Sequence, residues 1–338
     1  MELKTSFKNY YLTPKSELNS LTVRPGNRHG LWVKITPSCL MTDIEQFLSG
    51  FFDYIHWPEL GDEELKQSSV LNQGARISKF VNSLINSEDN FLKEVKTHQL
   101  LTNFSFKSVR SNYVFTPMTN SFNTEIEKVN AQGFDVLKLK ITKNFEEEIK
   151  KILRHNLNWC TIRLDFNSCQ NFKTLVDAKE KLKKIPYLEY LEDPCPFDIK
   201  QWFELKKLFP LALDSLNSKL ENNKELLSCF DYLVCKTARP YHFSFVLEAI
   251  RNNKKIVFTN MMDSFLGTWK TYFIHSIFKN HFPNIIQTPG FYTHHLYQNS
   301  NIELLPFLKA EFLADQNSFN KMIFYLNQQE WKLSTIEC

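Results

Sequence analysis

From residue 135 to about residue 280, the sequence repeats one pattern six times: a short strand-like run and then an amphipathic stretch with helical spacing. Alternation of strands and helices predicts a parallel sheet covered by helices. One more run on each side would complete a (β/α)-barrel of the TIM type. The eight runs are YVFTPM (113–118), DVLKLKI (135–141), CTIRLDF (160–166), YLEYLED (187–193), LALDSL (211–216), DYLVCKT (231–237), KIVFTN (255–260) and IIQTPGF (285–291).

The residues ahead of this repeat have a mixed pattern. Residues 21–36 (LTVRPGNRHGLWVKIT) look like two strands around a Pro-Gly turn. Residues 63–99 carry apolar residues at helical spacing. The sequence therefore predicts an α+β region before the barrel.

Composition argues against several classes of function. Of the 338 residues, 43% are hydrophobic and 23% are charged, which suits a large folded core. The formal charge of +4 is too small and too dispersed to indicate nucleic-acid binding. The chain has only 8 glycines and no glycine-rich phosphate loop, so the dinucleotide-binding fingerprint is absent.

Cysteine usage and the N-terminus indicate a cytoplasmic protein. The 7 cysteines form no C-x-x-C pair, which is typical of free thiols in a reducing compartment. The N-terminal residues MELKTSFKNYYLT lack an apolar signal core. No run approaches the ~18 apolar residues that a membrane span needs, so we expect no membrane partner.

An ionisable residue ends each of five consecutive predicted strands. The carboxyl ends of barrel strands open on one face, so these side chains should converge at one mouth. Carboxylate oxygens suit a hard dication such as Mg²⁺, with Mn²⁺ as a substitute, and buried acids need such a counter-charge. The sequence thus predicts a metal site flanked by lysines, built from Lys140, Asp165, Glu192, Asp214 and Lys236.

Three neighbouring polar residues have more than one interpretation. Lys138 lies two residues before Lys140 on the same strand face, where its ammonium would favour a neutral, basic Lys140; it could also be a surface lysine. Arg163 fits a structural salt bridge or a catalytic role. Asn167 fits a turn residue or one that orients metal ligands. Any single acid that ends a strand could equally be a helix N-cap or a solvated loop residue.

These residues resemble the motifs of the enolase superfamily, in its muconate-lactonising-enzyme subgroup. The K-x-K of that subgroup matches residues 138–140 (KLK), and its R-x-D-x-N matches residues 163–167 (RLDFN). Its E-x-P matches residues 192–194 (EDP). Its third metal ligand and sixth-strand lysine match Asp214 and Lys236.

Within the subgroup, the sequence is most similar to the o-succinylbenzoate synthases of menaquinone biosynthesis. Residues 56–65 (HWPELGDEEL) stand where that family has an aromatic–Pro–acid segment. Residues 257–267 (VFTNMMDSFLG) resemble its serine-rich seventh-strand end, with Thr259, Asp263, Ser264 and Gly267 in register. The sequence departs from the family pattern at Ser215, Asn260 and Met261.

The resemblance implies three regions: an α+β capping domain (1–105), a barrel with the active site (106–300), and a C-terminal segment that returns to the capping domain (301–338). It also implies that residues 12–30 close over a small-molecule carboxylate substrate, although a plain connection fits them as well.

The activity implied is that of a carbon–oxygen lyase that dehydrates 2-succinyl-6-hydroxy-2,4-cyclohexadiene-1-carboxylate. A lysine base and Mg²⁺ are general features of this superfamily. By the resemblance, Asp165, Glu192 and Asp214 hold the metal, Lys140 removes the α-proton, Lys138 adds positive charge, Lys236 holds the ring, and Thr259 and Ser264 contact the substrate. N-acylamino-acid racemases, dipeptide epimerases and cycloisomerases share the same lysines and acids, so their activities remain alternatives.

Overall fold

The computed structural model describes residues 2–15, 18, 26–35, 42–55, 57, 104–115, 122–214, 224–237 and 243–337. Within these ranges the strands are β1 (Glu2–Leu12), β2 (Arg28–Ile35), β3 (Phe51–Ile55), β4 (Ser108–Arg110), β5 (Tyr113–Phe115), β6 (Val136–Lys140), β7 (Thr161–Asp165), β8 (Leu188–Glu192), β9 (Leu211–Leu213), β10 (Tyr232–Lys236), β11 (Lys255–Thr259), β12 (Phe307–Leu308), β13 (Glu311–Leu313) and β14 (Lys332–Glu337). The α-helices are α1 (Asp43–Gly50), α2 (Phe122–Ala131), α3 (Phe145–Arg154), α4 (Phe172–Asp177), α5 (Lys179–Leu182), α6 (Ile199–Lys206), α7 (Phe243–Arg251), α8 (Phe265–His281) and α9 (Gln316–Asn327).

Strands β5 to β11 form a parallel sheet whose strands lie side by side in chain order, as the alternating pattern predicts. Successive side chains of a strand point to opposite faces of the sheet. On β6, Leu137 and Leu139 join the large apolar cluster that includes the surrounding helices, whereas Lys138 and Lys140 line a cavity within the barrel. Alternate residues of the strand thus pack against the helices outside the barrel or face the cavity inside it.

Residues 285–292 close the sheet into a barrel. Ile286 and Gly290 form parallel bridges to β11, and Tyr292 forms one to β5 at the opposite edge. The predicted eighth strand therefore lies where expected, but it makes isolated bridges instead of a continuous strand. Pro289, which has no backbone N–H to donate, interrupts the ladder. The fold is a (β/α)-barrel, as predicted.

A four-stranded antiparallel sheet, which we call the capping sheet, has the strand order β14-β1-β2-β3. Helix α1 packs against it and begins at a capping box, in which Thr42 and Glu45 exchange hydrogen bonds between side chain and backbone. A third sheet, β12-β13-β4, is absent from the sequence-based prediction. The capping sheet and α1 form the N-terminal α+β cap, with β14 contributed by the end of the chain.

Several predicted features lie outside the described residues. These are the first strand of the Pro-Gly hairpin (21–25), the helical pattern at 63–99, most of the HWPELGDEEL segment, and Ser215. The loop 12–30 is described only in part. The domain boundaries at 105 and 300 stay predictions. No helix in the described ranges combines the length and the apolar character needed to cross a bilayer.

Three histidines, of which two are buried and one is partly buried, sit in largely apolar surroundings. His275 lies on the buried helix α8, and burial lowers the pKa of His275 to about 3. His295 packs between the rings of Tyr113 and Tyr292, at centroid distances of 4.4 and 5.0 Å, and burial lowers its pKa to about 3. Burial likewise lowers the pKa of His294 to about 4. All three are therefore neutral in the folded protein at neutral pH.

We predict that acid destabilises the fold between about pH 6.5 and pH 4. In this window the unfolded chain binds protons at these histidines and the folded chain does not, so the free energy of unfolding falls as pH falls. Each histidine should contribute about 1.4 kcal/mol per pH unit below its unfolded pKa. Urea denaturation at pH 7, 6 and 5 measures the slope, and His275→Phe should reduce it by about one proton. An unchanged dependence of the free energy of unfolding on pH in that variant would contradict the conclusion that His275 is neutral in the folded protein.

Candidate active site

Strand register brings the predicted residues together in two layers. Lys140 pairs with Asp165, and Asp165 pairs with Glu192, so these three side chains form one row across β6, β7 and β8. One layer below, Lys138 pairs with Arg163, which pairs with Tyr190. Side chains stacked in layers are the usual filling of such a barrel.

The remaining two predicted residues lie beside this row, one just beyond β9 and one at the end of β10. Ala212 pairs with Glu192, and Asp214 follows two residues later, just beyond the end of β9. The backbone N–H of Asp214 donates to Asp193 Oδ1 at 3.1 Å, so the second acid of the EDP motif positions the next strand's carboxylate. Lys236 ends β10 and forms an ion pair with Asp214.

Three lysines and three acids form a tightly connected ionic cluster. Lys138 Nζ lies 2.5 Å from Glu192 Oε1 and 3.0 Å from Asp165 Oδ2. Lys140 Nζ lies 2.6 Å from Asp165 Oδ2. The side chains of Asp165 and Glu192 are almost fully buried. Buried charges of this kind persist only when they are paired, and this cluster has as many lysines as acids.

The cluster raises the pKa of some of its members and lowers that of others. Burial alone would lower the pKa of Lys138, but Asp165 and Glu192 raise it well above its usual range. Burial opposes ionisation of Asp165, but Lys138 and Lys140 hold its pKa below its usual range. Burial and the neighbouring Asp165 carboxylate raise the pKa of Glu192 to about 8. Glu192 is thus the carboxylate with the least adequate counter-charge.

Two carboxylate oxygens in the cluster lack hydrogen-bond partners among the described residues. Glu192 Oε2 and Asp214 Oδ1 are buried and accept no hydrogen bond from these parts of the chain. A buried acceptor left in this state is unfavourable, and a hard cation with oxygen ligands would satisfy both. Within the described ranges, however, no group of three or more acids, histidines or cysteines is gathered around one metal position. Lys138 instead lies between Asp165 and Glu192.

Arg163 and Asn167 take different positions relative to the cluster. Arg163 Nε donates to Glu189 Oε2 at 2.6 Å, and its Nη1 donates to the carbonyl of Thr288 at 2.9 Å, in the lower layer of the barrel. This geometry fits the structural salt bridge. Asn167 lines the cavity, accepts a hydrogen bond from Lys140 at 3.3 Å, and donates its backbone N–H to Asp165 Oδ1 at 3.1 Å.

A cavity opens beside the ionic cluster, and its envelope of about 490 Å³ includes the open solvent at its mouth. Its polar side includes Asn167, Asp214, Thr259 and the three lysines. Its other side is largely apolar and consists of Trp57, Val114, Met261 and Met262, which belong to one buried cluster with residues of the capping sheet. The chemistry of this lining therefore suits a small anion that also carries an apolar group.

The two predicted substrate contacts differ in position. Thr259 lines the cavity, and its Oγ1 donates to the carbonyl of Gly290 at 2.7 Å. Ser264 is buried at the start of α8, where its Oγ bonds Asp53 at 2.5 Å and accepts from Trp32 Nε1 at 2.9 Å. Ser264 is not among the residues that line the cavity. Its predicted role therefore lacks support from this geometry.

Sequence reasoning did not assign several residues that shape the site. Trp57 and Met262 line the cavity, and Asp53 holds Ser264. Trp57 lies in the HWPELGDEEL segment, and the resemblance of this segment to the aromatic–Pro–acid segment of the family could have identified it. Asp53 has no such signal, because it meets Ser264 across 211 positions of sequence.

Comparison with known proteins agrees with this architecture. No protein-family model matches the sequence. The chain is 27% identical over 300 residues to o-succinylbenzoate synthase of Bdellovibrio bacteriovorus, and the match covers 88% of each protein.

Solved structures show the same fold at low sequence identity. The L-Ala-D/L-Glu epimerase from Bacillus subtilis matches with a TM-score of 0.68 and 12% identity, over 92% of this chain and 95% of that one. MenC from Desulfotalea psychrophila matches with a TM-score of 0.65 and 16% identity, over 93% and 100%. A dipeptide epimerase from Enterococcus faecalis, complexed with Mg and L-Leu-L-Tyr, matches with a TM-score of 0.69 and 13% identity, over 93% and 98%. The predicted resemblance is thereby confirmed: the chain has the barrel-and-cap fold of the enolase superfamily and is similar in sequence to o-succinylbenzoate synthase.

Proposed function

We propose that this protein is a carbon–oxygen lyase with o-succinylbenzoate synthase activity in menaquinone biosynthesis. The observation that carries the proposal is the row of Lys140, Asp165 and Glu192, with Asp214 and Lys236 beside it, at the mouth of one barrel. The similarity to a curated o-succinylbenzoate synthase favours this activity over others that share the fold.

Asp165, Glu192 and Asp214 are the residues that would hold Mg²⁺, or Mn²⁺ in its place. The unpaired oxygens of Glu192 and Asp214 and the all-carboxylate donor set suit such an ion. When bound, the ion would supply positive charge for the substrate carboxylate and for the charge that develops there during proton removal.

Lys140 is the proposed base. Its Nζ takes the proton from the carbon next to the substrate carboxylate, and Asp165 and Asn167 hold it in position from the other side. The electron pair of the broken C–H bond then forms the new ring double bond as the C–O bond to the hydroxyl breaks. Lys140 returns the proton to that hydroxyl, which leaves as water.

Lys138 and Lys236 are proposed to act by charge. Lys138 compensates Asp165 and Glu192, so their charges do not oppose binding of an anionic substrate. Lys236 enters the cavity from β10, where it can hold the ring by a cation–π contact worth about 0.5–2 kcal/mol. This is far less than catalysis requires, so the lysine base and the metal must provide most of the rate enhancement.

A racemase or epimerase of the same superfamily is the second candidate. Lys140 and Lys236 both reach the cavity, and two lysines on opposite faces of a substrate could invert its α-carbon. The epimerases among the structural neighbours share the fold but only 12–13% of the sequence.

The metal prediction is tested by thermal stability without any substrate. Mg²⁺ should raise the Tm of the wild-type protein, because a ligand that binds only the folded state stabilises it. Glu192→Gln should abolish this increase. Glu180→Gln, at an exposed position, is the matched control and should retain it. Equal shifts in both variants would exclude Glu192 as a ligand.

The base prediction concerns Lys140→Ala. We expect kcat for dehydration to fall by at least about 10²–10⁴-fold, the usual contribution of a general base. The Mg²⁺-dependent increase in Tm should persist. Lys183→Ala, an exposed lysine, serves as the control. Turnover near the wild-type rate in Lys140→Ala would refute the assignment.

Isotope incorporation separates the two candidate activities. In deuterated water, a racemase exchanges the α-hydrogen of N-acylamino acids, which mass spectrometry detects. A synthase instead forms an aromatic product from the cyclohexadiene substrate, which is followed by absorbance. We expect kcat/KM for dehydration to exceed that for exchange. The reverse order would favour the racemase.

A further inference from the structure

A buried carboxylate of the capping sheet forms hydrogen bonds to the start of helix α8. Asp53, on β3, is only 3% exposed. Its carboxylate accepts hydrogen bonds from the backbone N–H of Ser264 at 3.0 Å, the hydroxyl of Ser264 at 2.5 Å and the N–H of Gly267 at 3.3 Å. Tyr10 and Trp32 complete the arrangement from β1 and β2. We call these five residues the Asp53 latch.

The chemistry of the latch explains why it holds. The first N–H groups of an α-helix have no partner within the helix, and the helix dipole favours a negative charge beside them. Asp53 supplies that charge from another sheet. The hydroxyl of Tyr10 donates to Asp53, and Trp32 Nε1 donates to Ser264 Oγ at 2.9 Å, so all three N-terminal strands contribute. Loss of a buried acceptor here leaves several donors unsatisfied.

The segment just before the latch is part of the cavity wall. Met261 and Met262 line the cavity and are separated from Ser264 of the latch only by Asp263. Met262 has a φ of +56°, which is unfavourable for a side chain of this size. Its N–H donates to Asn260 Oδ1 at 3.2 Å, and its carbonyl accepts from Tyr297 at 2.5 Å. Asn260 holds this segment from the residue before it, and Asp53 holds the chain just after it, at Ser264.

We propose that Asp53 is a positioning residue: by holding Ser264 and Gly267 it fixes the Met261–Met262 wall against which the substrate packs. The latch thereby couples the capping sheet to the fit of the cavity. Asp53 is not among the residues that line the cavity. It therefore acts only through α8 and the segment that precedes this helix. The ligand-binding part of this proposal rests on the proposed function, whereas the ordering of the wall does not.

The first test is amide hydrogen exchange of residues 260–268, followed by mass spectrometry. Asp53→Ala should increase exchange in this segment, and Asp53→Asn, which keeps one acceptor oxygen, should restore part of the protection. Val33→Ala is the matched control, because Val33 is fully buried in the capping sheet and outside the latch. Equal exchange of residues 260–268 in Asp53→Ala and Val33→Ala would overturn the proposal.

The second test is the split between KM and kcat for dehydration. Asp53→Ala should raise KM by about tenfold to a hundredfold, with a smaller change in kcat, since misplacement of binding groups has effects of this size. Val33→Ala should leave KM unchanged. Ser264→Ala should resemble Asp53→Ala, and the double variant should be no worse than either single one. An additional loss in the double variant would show that Ser264 acts on the substrate directly and would overturn the latch as its role.

The two tests separate failure of the latch from failure of the proposed function. If the wild-type protein does not dehydrate the substrate, the hydrogen-exchange comparison still decides the latch. If dehydration occurs but the Asp53 variants bind normally and keep residues 260–268 protected, the latch is wrong and the function stands.

Discussion

The in-register pairing of parallel strands is the constraint on which the site depends. Because β6, β7 and β8 are neighbours without offset at their carboxyl ends, Lys140, Asp165 and Glu192 are forced into one row. A shift of one residue in any of these strands would turn its charged side chain toward the helices and bring a leucine inward. The large apolar cluster outside the barrel opposes such a shift. Packing on the outside thus determines the chemistry on the inside.

That row is tolerable only because its charges balance. Three acids and three lysines share the barrel mouth, and each buried ion would be strongly unfavourable alone. The distribution is uneven in detail. Asp165 has two lysine partners, whereas Glu192 and Asp214 each have one oxygen without a hydrogen-bond partner among the described residues. The site is therefore locally short of positive charge where a metal ion would be expected.

Much of this arrangement could be predicted from the sequence, since it repeats locally. The strands follow from apolar runs, and the ionisable residues at their ends follow from one position in each unit. The position of Ser264 was not predictable, because it depends on Asp53, 211 residues away. Arg163 was ambiguous for a similar reason: its partner Glu189 and the carbonyl of Thr288 come from separate strands and loops. Local pattern determines the row of charges, whereas long-range contacts determine its surroundings.

Closure of the barrel by residues 285–292 has a consequence for how the chain acquires its structure. Until this segment is synthesised, β5 and β11 are both open sheet edges with unpaired backbone groups. Such edges are prone to pair with other chains. Completion of the barrel must also wait for a contact between Tyr113 and Tyr292, which are far apart in sequence, and long-range closure of this kind is slow. Between the synthesis of β11 and that of residues 285–292, the nascent barrel therefore has two open edges at which it can pair with other chains.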